Sequence, residues 1–337
     1  MLPFSPHPLL RGPHRMTLIP RWLHRPNLLQ NVPVEERLFQ VEPHSHISAK
    51  CHWHPSAKNH ATLLIIHGLE GCTDSHYMLG ITQKAWQAGV NVVRLNQRNC
   101  GGTEHLTPTL YNAGMSRDLQ AVITELTNRD GLSHMWLAGF SMGGNLVLKL
   151  AGEASNALTN VQGIVGVCPN IHPAACVAAL QQPRNFMYHQ YFLPRLKARL
   201  RRKVQYFPNR WDLTQLSRVR TMSQFDDVYT APDDGYKDAA DYYEQCGSRH
   251  VLHHIGIPTL IFTSQDDPFI PYHTFQIEAI SKNPHIQLIA PESGGHCGFY
   301  QESQPHEDNF WVENRIVEFV KSGQSPTTAG SYNNHHS

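Results

Sequence analysis

No run in the sequence approaches the roughly 18 consecutive apolar residues that a membrane-crossing helix needs. The N-terminus, MLPFSPHPLLRGPHRMTLIPRW, is broken by prolines and lacks the apolar core of a secretory signal. Neither a membrane span nor export is therefore expected, and a cytoplasmic location is the simplest reading. Paired cysteines are missing too. The seven cysteines, Cys51, Cys72, Cys100, Cys168, Cys176, Cys246 and Cys297, are odd in number and contain no CxxC. Such spacing argues against a disulfide framework and against a zinc site. Charge is also scarce: charged residues make up 16% and the formal net charge is +1. Nothing in that balance calls for nucleic acid or a strongly acidic partner. No internal repeat or coiled-coil heptad is visible, and no oligomeric state is indicated.

What is present is a chain of 337 residues with 40% hydrophobic residues, enough for one large α/β domain with an insertion or for two ordinary domains. Histidine is abundant, with 23 in all. The pairs His44/His46 and His52/His54 share strand faces, yet no carboxylate or cysteine sits near them at ligand spacing. They are expected to be ordinary surface histidines.

Residues 1–34, rich in Pro, Arg and His, read as an extended N-terminal arm wrapped on the body. The domain proper is expected over 35–322, opening with the strand-like RLFQV and SAKCHW. The apolar, β-branched run Thr62–Ile66 suits a buried parallel strand. Helix-like and strand-like segments then alternate: Tyr77–Ala88, Val90–Leu95, Ser116–Leu126, His134–Ala138, Met142–Gly152 and Val161–Val167. This βα rhythm predicts an α/β fold with a mostly parallel, doubly wound sheet. It breaks over about 169–251, a long, aromatic, helical stretch. It resumes with the strand Pro258–Ser264, a helix at Phe275–Ser281, the strand Ile286–Ala290 and a last helix near Asn309–Lys321. Because the sheet pattern continues on both sides, the break reads as a helical cap inserted into one domain. The polar tail, 323–337, is expected to be disordered.

Gly139-Phe140-Ser141-Met142-Gly143 fits the G-x-S-x-G nucleophile elbow, in which a serine sits on a strained strand-to-helix turn. The flanking segments MWLAG and GGNLVLKLAG supply the strand and the helix. A hydroxyl at its ordinary pKa needs a base, and that base an orienting acid. In this arrangement the acid follows the serine in the chain and the histidine comes last. Asp266 and Asp267 both follow the apolar strand TLIFTS at the sheet edge where such folds bind ligands. The D-x-x-I-P spacing favours Asp267, leaving Asp266 to cap the turn. His296, in the loop Ser293-Gly294-Gly295-His296-Cys297-Gly298, is the candidate base. Its rival His67 lies in His67-Gly68-Leu69-Glu70-Gly71, an HG-type oxyanion loop, and reads better as a histidine that orients this loop. The backbone N–H groups of Leu69 and Met142 are the candidate oxyanion donors.

Other conspicuous residues have plainer readings. Arg98 and Gly101-Gly102 shape a loop, Asp118 stabilises a helix terminus, and Gly144-Asn145 extend the elbow helix for packing. Between Phe192 and Val204, Phe192, Leu196, Leu200 and Val204 recur every four residues beside six basic residues. That helix reads as packed by its apolar stripe with a solvated basic face, or as a device for peripheral contact with anionic lipid.

Taken together, these motifs resemble the YheT-like α/β hydrolases, the AB hydrolase 4 family, which includes animal ABHD lipases. The likeness runs from about Pro8 to Phe319. It rests on GPHRMT (Gly12–Thr17), HGLEG, NQRNCGG (Asn96–Gly102), GFSMGGN and DDPFIP (Asp266–Pro271). The segment FDDVYTAP (Phe225–Pro232), followed by Gly235-Tyr236 and Tyr242-Tyr243, is the most specific match. The resemblance implies the α/β-hydrolase fold with a triad of Ser141, Asp267 and His296. It further implies hydrolysis of carboxylic esters, small-molecule or lipid, with no metal and no organic cofactor. Arg15-Met16 stand where relatives tend to have a glutamine before the threonine, and Asn99 where glycine is frequent. An acyltransferase using the same triad, or a catalytically silent binding protein on this fold, are the alternatives.

Overall fold

The computed structural model describes residues 2–25 and 28–323. Its centre is an eight-stranded sheet in the order β1-β2-β4-β3-β5-β6-β7-β8. β1 (Glu35–Glu42) and β2 (Ser45–His52) form an antiparallel hairpin at one edge, and β2 also runs antiparallel to β4. The rest is parallel: β3 (Thr62–Ile66), β4 (Asn91–Leu95), β5 (Met135–Phe140), β6 (Val161–Val167), β7 (Thr259–Phe262) and β8 (Ile286–Ile289). The sequence explains the layering. Every residue of TLLII and MWLAGF is buried, as a strand covered on both faces requires. Edge strand β1 alternates, with Phe39 inside and most neighbours outside.

The helices cover both faces. They comprise α1 (Pro13–Leu18), α2 (His76–Gln87), α3 (Ser116–Asn128) and α4 (Met142–Ala154). Between β6 and β7 come α5 (Pro173–Leu180), α6 (Phe186–Tyr206), α7 (Met222–Phe225), α8 (Ala231–Asp233) and α9 (Ala239–Cys246); α10 (Glu278–Ser281) and α11 (Trp311–Ser322) follow. Among the described residues, no helix is long and apolar enough to cross a membrane. The strand order reverses between β3 and β5, so their C-terminal ends open a crevice at the switch point of the sheet.

Several local expectations change. The arm is not simply extended, because α1 and two flanking single turns (Pro8–Leu10, Ile19–Trp22) fold it, with Met16 wholly buried. The expected helix at Phe275–Ser281 is a turn at Tyr272–Phe275 and the single-turn α10, separated by Gln276 and Ile277. Helix α6 is longer than Phe192–Val204 and passes through the exposed Pro194. His52 is buried rather than a surface residue: its Nδ1 lies 2.7 Å from the Pro33 carbonyl and its Nε2 3.0 Å from Arg94. Burial lowers its pKa to about 4, which keeps it neutral. Asp118 serves another helix-loop contact than expected. It is buried and grips Arg98 through both oxygens, at 2.7 and 2.6 Å. Beyond Gly323, the tail lies outside the described residues.

Candidate active site

The elbow is built by close approach. Ser141 has φ 54° and ψ −115°, a region disfavoured for any side chain, between the end of β5 and the start of α4. A Cβ at Gly139 would lie 2.1 Å from the Gly143 carbonyl oxygen, and one at Gly143 would lie 2.5 Å from the Ile66 and His67 carbonyl oxygens. Only glycines let strand, turn and helix pass this closely, so the motif spacing is a packing requirement. Helix α4 is buried almost along its whole length and cannot yield.

The loop after β3 closes over the serine. A Cβ at Gly68 would stand 3.0 Å from the Ser141 Cβ and 3.6 Å from its Oγ. Gly68 N–H donates to the Tyr77 hydroxyl at 3.0 Å and Glu70 N–H to the Tyr111 hydroxyl at 3.1 Å. The Leu69 amide between them is left without a hydrogen-bond partner among the described residues. Met142 opens α4, where the first N–H groups have no carbonyl within the helix. His67 is wholly buried and directs its ring at the loop itself, with Nδ1 2.8 Å from the Gly68 carbonyl oxygen and Nε2 3.1 Å from the Gln97 amide. Burial lowers its pKa to about 4.

Of the two aspartates, Asp267 meets His296: Oδ2 lies 2.8 Å from Nδ1. Its Oδ1 accepts the N–H groups of Phe269 and Ile270, at 3.0 and 2.9 Å, which fixes the carboxylate. Asp266 instead accepts from Gly295 N–H at 2.8 Å and from the Ser293 hydroxyl at 3.2 Å, so it shapes the loop that carries His296. Burial alone would lower the imidazole's pKa, but the facing carboxylate more than offsets this and raises it. Ser141, His296, Leu69 and Gly68 all line one cavity of about 570 Å³. Its apolar wall comes from Leu18 and Trp22 of the arm, Met187 and Phe192 of α6, Phe140 and Phe269. The structure therefore brings Ser141, Asp267, His296 and Leu69 to one end of the sheet, with Met142 next to Ser141.

Three supports have roles that the sequence motifs containing them do not reveal. Thr17 of α1 accepts the His296 N–H at 2.8 Å through its hydroxyl oxygen, so the arm holds the histidine loop. The GPHRMT motif pointed at this segment without giving it a role. Asn145 does more than pack: it donates to the carbonyls of Ala113 and Cys246, at 3.0 and 2.9 Å, and accepts from Ser248 N–H at 2.8 Å. It thereby ties the elbow helix to the end of the excursion between β6 and β7. Within that excursion, Asp226 is buried and accepts from Thr230 and Tyr243, each at 2.7 Å. Burial raises its pKa to about 6. Asp227 accepts the Ala239 N–H at 3.0 Å and Asp233 the Leu110 N–H at 2.6 Å, which accounts for the acidic pattern around FDDVYTAP. Asn99 adopts φ 64°, a conformation that asparagine tolerates and glycine prefers, so its place in a glycine position needs no other backbone.

With this geometry in view, the relatives are informative. The family model described as the alpha/beta hydrolase fold matches residues 61–303. A putative esterase, YheT, of Escherichia coli is 30% identical over 91% of this chain and 89% of its own. The chain belongs to the YheT-like α/β hydrolases. A mouse protein named phospholipase ABHD3 is 28% identical over 80% of this chain, which spans about two thirds (66%) of that relative. A yeast monoacylglycerol lipase is 26% identical over 77% of this chain and 58% of its own. Among solved structures, a Pyrococcus furiosus esterase superposes with a TM-score of 0.57 over 89% of this chain and 96% of its own. At 14% identity that likeness speaks for the α/β-hydrolase fold alone.

Proposed function

We propose that the protein is a serine hydrolase of carboxylic esters that works through an acyl-enzyme. The observation that carries this reading is the His296–Asp267 contact at 2.8 Å, with His296 lining the same cavity as the strained elbow serine. In this mechanism His296 takes the proton of the Ser141 hydroxyl as its oxygen attacks the ester carbonyl. Asp267 holds the ring orientation and stabilises the imidazolium that forms. The N–H groups of Leu69 and Met142 hold the tetrahedral oxyanion. His296 then protonates the departing alcohol, and the same imidazole activates water to release the acid from Ser141.

The apolar wall of the cavity suits an acyl chain, and a small-molecule or lipid ester fits both that wall and the names of the relatives. Trp22 and Met187 at the cavity are 82% and 52% exposed, and neighbouring Phe186 is 63% exposed. They supply an apolar rim for peripheral contact with a lipid surface.

The deciding experiment combines a fluorophosphonate probe with p-nitrophenyl esters of graded chain length. The wild-type protein should be labelled at Ser141 and turn over at least one ester, and Ser141→Ala should lose both. Full esterase activity in Ser141→Ala overturns the mechanism.

A further inference from the structure

Three ligand atoms that no local spacing reveals meet beside His296. Cys168 follows β6 and Cys297 follows His296 in the chain, 129 residues apart. Their two sulfurs and one imidazole nitrogen of His296 all lie within 4.8 Å of one another. Backbone contacts set this arrangement. Cys297 N–H donates to the Cys168 sulfur at 3.3 Å, while the thiols donate to the carbonyls of Gly295 and Val167 at 3.8 and 3.7 Å. Both cysteines hold left-handed backbone, with φ 43° and 60°, which ordinary residues adopt only under constraint. Cys297 and His296 line the cavity, so an ion entering it meets these two first, while Cys168 is fully buried beside them.

We propose that Cys168, His296 and Cys297 form an inhibitory site for a thiophilic divalent cation of the zinc or cadmium class. Binding converts two thiols to metal thiolates and adds the imidazole as third ligand, releasing to solvent the two thiol protons and any proton on the coordinating ring nitrogen, with water completing a tetrahedron. Such a tetrahedron places its sulfur and nitrogen atoms roughly 3.5–3.8 Å apart, so the cluster need contract by only about 1 Å. Two sulfurs and an imidazole select zinc or cadmium over magnesium or calcium, which seek oxygen. Because binding displaces the thiol protons, affinity increases with pH.

The consequence for activity follows from the imidazole having only two nitrogens. Nδ1 faces Asp267, and Nε2 is the atom left to act as base. A cation on either one ends the role of His296. Binding itself depends only on the cluster; its effect on turnover rests on the proposed triad.

The test titrates the purified full chain, first freed of metal by chelator, with Cd²⁺ and separately with Mg²⁺. It reads thiolate-to-metal absorption in the ultraviolet, protection of cysteines from alkylation mapped by mass spectrometry, and ester hydrolysis. Cd²⁺ should produce the absorption, protect the accessible Cys297 from alkylation, and reduce hydrolysis at least about tenfold, reversibly with chelator, while Mg²⁺ does none of this. Cys168→Ala and Cys297→Ala, each compared with its own metal-free activity, should weaken Cd²⁺ binding at least about tenfold. Absorption and protection without any ester turnover would overturn the proposed reaction and leave the metal site standing. Absent absorption, or protection of other cysteines alone, overturns the site. The alkylation map uses wild-type protein, so its outcome does not depend on either variant folding.

Discussion

Arg199 of α6 lies 3.0 Å from Glu70, joining the helix that lines the cavity to the loop that carries Leu69. Both side chains are buried. Glu70 also accepts from the Tyr111 hydroxyl at 2.9 Å, and Arg199 donates to the Asn99 carbonyl oxygen at 2.8 Å. Glu70 itself has φ 57°, so its place in the loop depends on these partners. Removing one partner of a buried ion pair leaves the other charge stranded, at about 3–5 kcal/mol. Arg199→Met should therefore lower the melting temperature and reduce kcat more than it raises KM, because the proposed oxyanion donor, the Leu69 amide, is displaced while the apolar wall remains. Arg199→Lys should not restore activity, since a single ammonium lacks the planar fork that reaches several acceptors. Thermal unfolding and steady-state kinetics on both variants check this.

The two aspartates separate by partner. Asp267→Asn should lower kcat by about 10⁴, the order seen when a triad acid is neutralised in place. Asp266→Asn only loosens the contacts to Ser293 and Gly295 and should cost far less. The pH profile discriminates further. Asp267 raises the His296 pKa above its ordinary 6.5, and His296 must be neutral to act as base. Wild-type kcat/KM should therefore fall on the acid side from a midpoint above 6.5, and Asp267→Asn should move that midpoint downward. For stability, the raised pKa makes the pair's contribution full below 6.5 and lost as pH rises through the raised value. If Asp266→Asn is the more damaging change, the acid assignment is reversed.

Sequence legibility followed the range of the interactions. TLLII and GFSMGG encode a strand and an elbow within a few residues, because burial on both faces and glycine contacts act locally. The positions of Asp267 and His296 were readable from chain order, and GPHRMT and FDDVYTAP from resemblance. Arg199, by contrast, sits in a charge run that reads as solvated, yet it and Lys203 point inward while Arg195, Arg201 and Arg202 are exposed. Only the tertiary packing of α6 decides which cations are buried. The same holds for Thr17 beneath His296 and for Cys168 beside Cys297, contacts between residues 279 and 129 positions apart in the chain.

Thr17 provides a direct test of the arm. Its hydroxyl donates to the Pro13 carbonyl at 2.6 Å and accepts the His296 N–H at 2.8 Å. Thr17→Val preserves the volume and removes both bonds, leaving a partly buried N–H unpaired at about 1–3 kcal/mol. Activity should fall about tenfold through kcat, since the histidine loop loses its anchor near the base. Thr17→Ser should keep most of the activity. Full activity in Thr17→Val would mean that packing, not the hydrogen bond, holds the histidine loop.

Lys203 supplies a stability signature independent of catalysis. Its ammonium is wholly buried, donates to Asn99 Oδ1 and the Thr107 carbonyl, and lies near the rings of Phe207 and Trp211. Burial lowers its pKa from 10.5 to about 7; Asp233 and Glu104 oppose the shift, and Arg210 and Arg98 reinforce it. Between those values the unfolded chain holds a proton that the folded chain has released, so this group makes stability rise with pH. One proton corresponds to about 1.4 kcal/mol per pH unit at full difference. Lys203→Met removes the titration, although it also strands the two acceptors and lowers stability at every pH. The expected result is a wild-type-minus-variant difference in unfolding free energy that grows from pH 7 to pH 10, measured by denaturant titration at each pH. A difference that stays flat across this window would show that Lys203 keeps its proton in the folded protein.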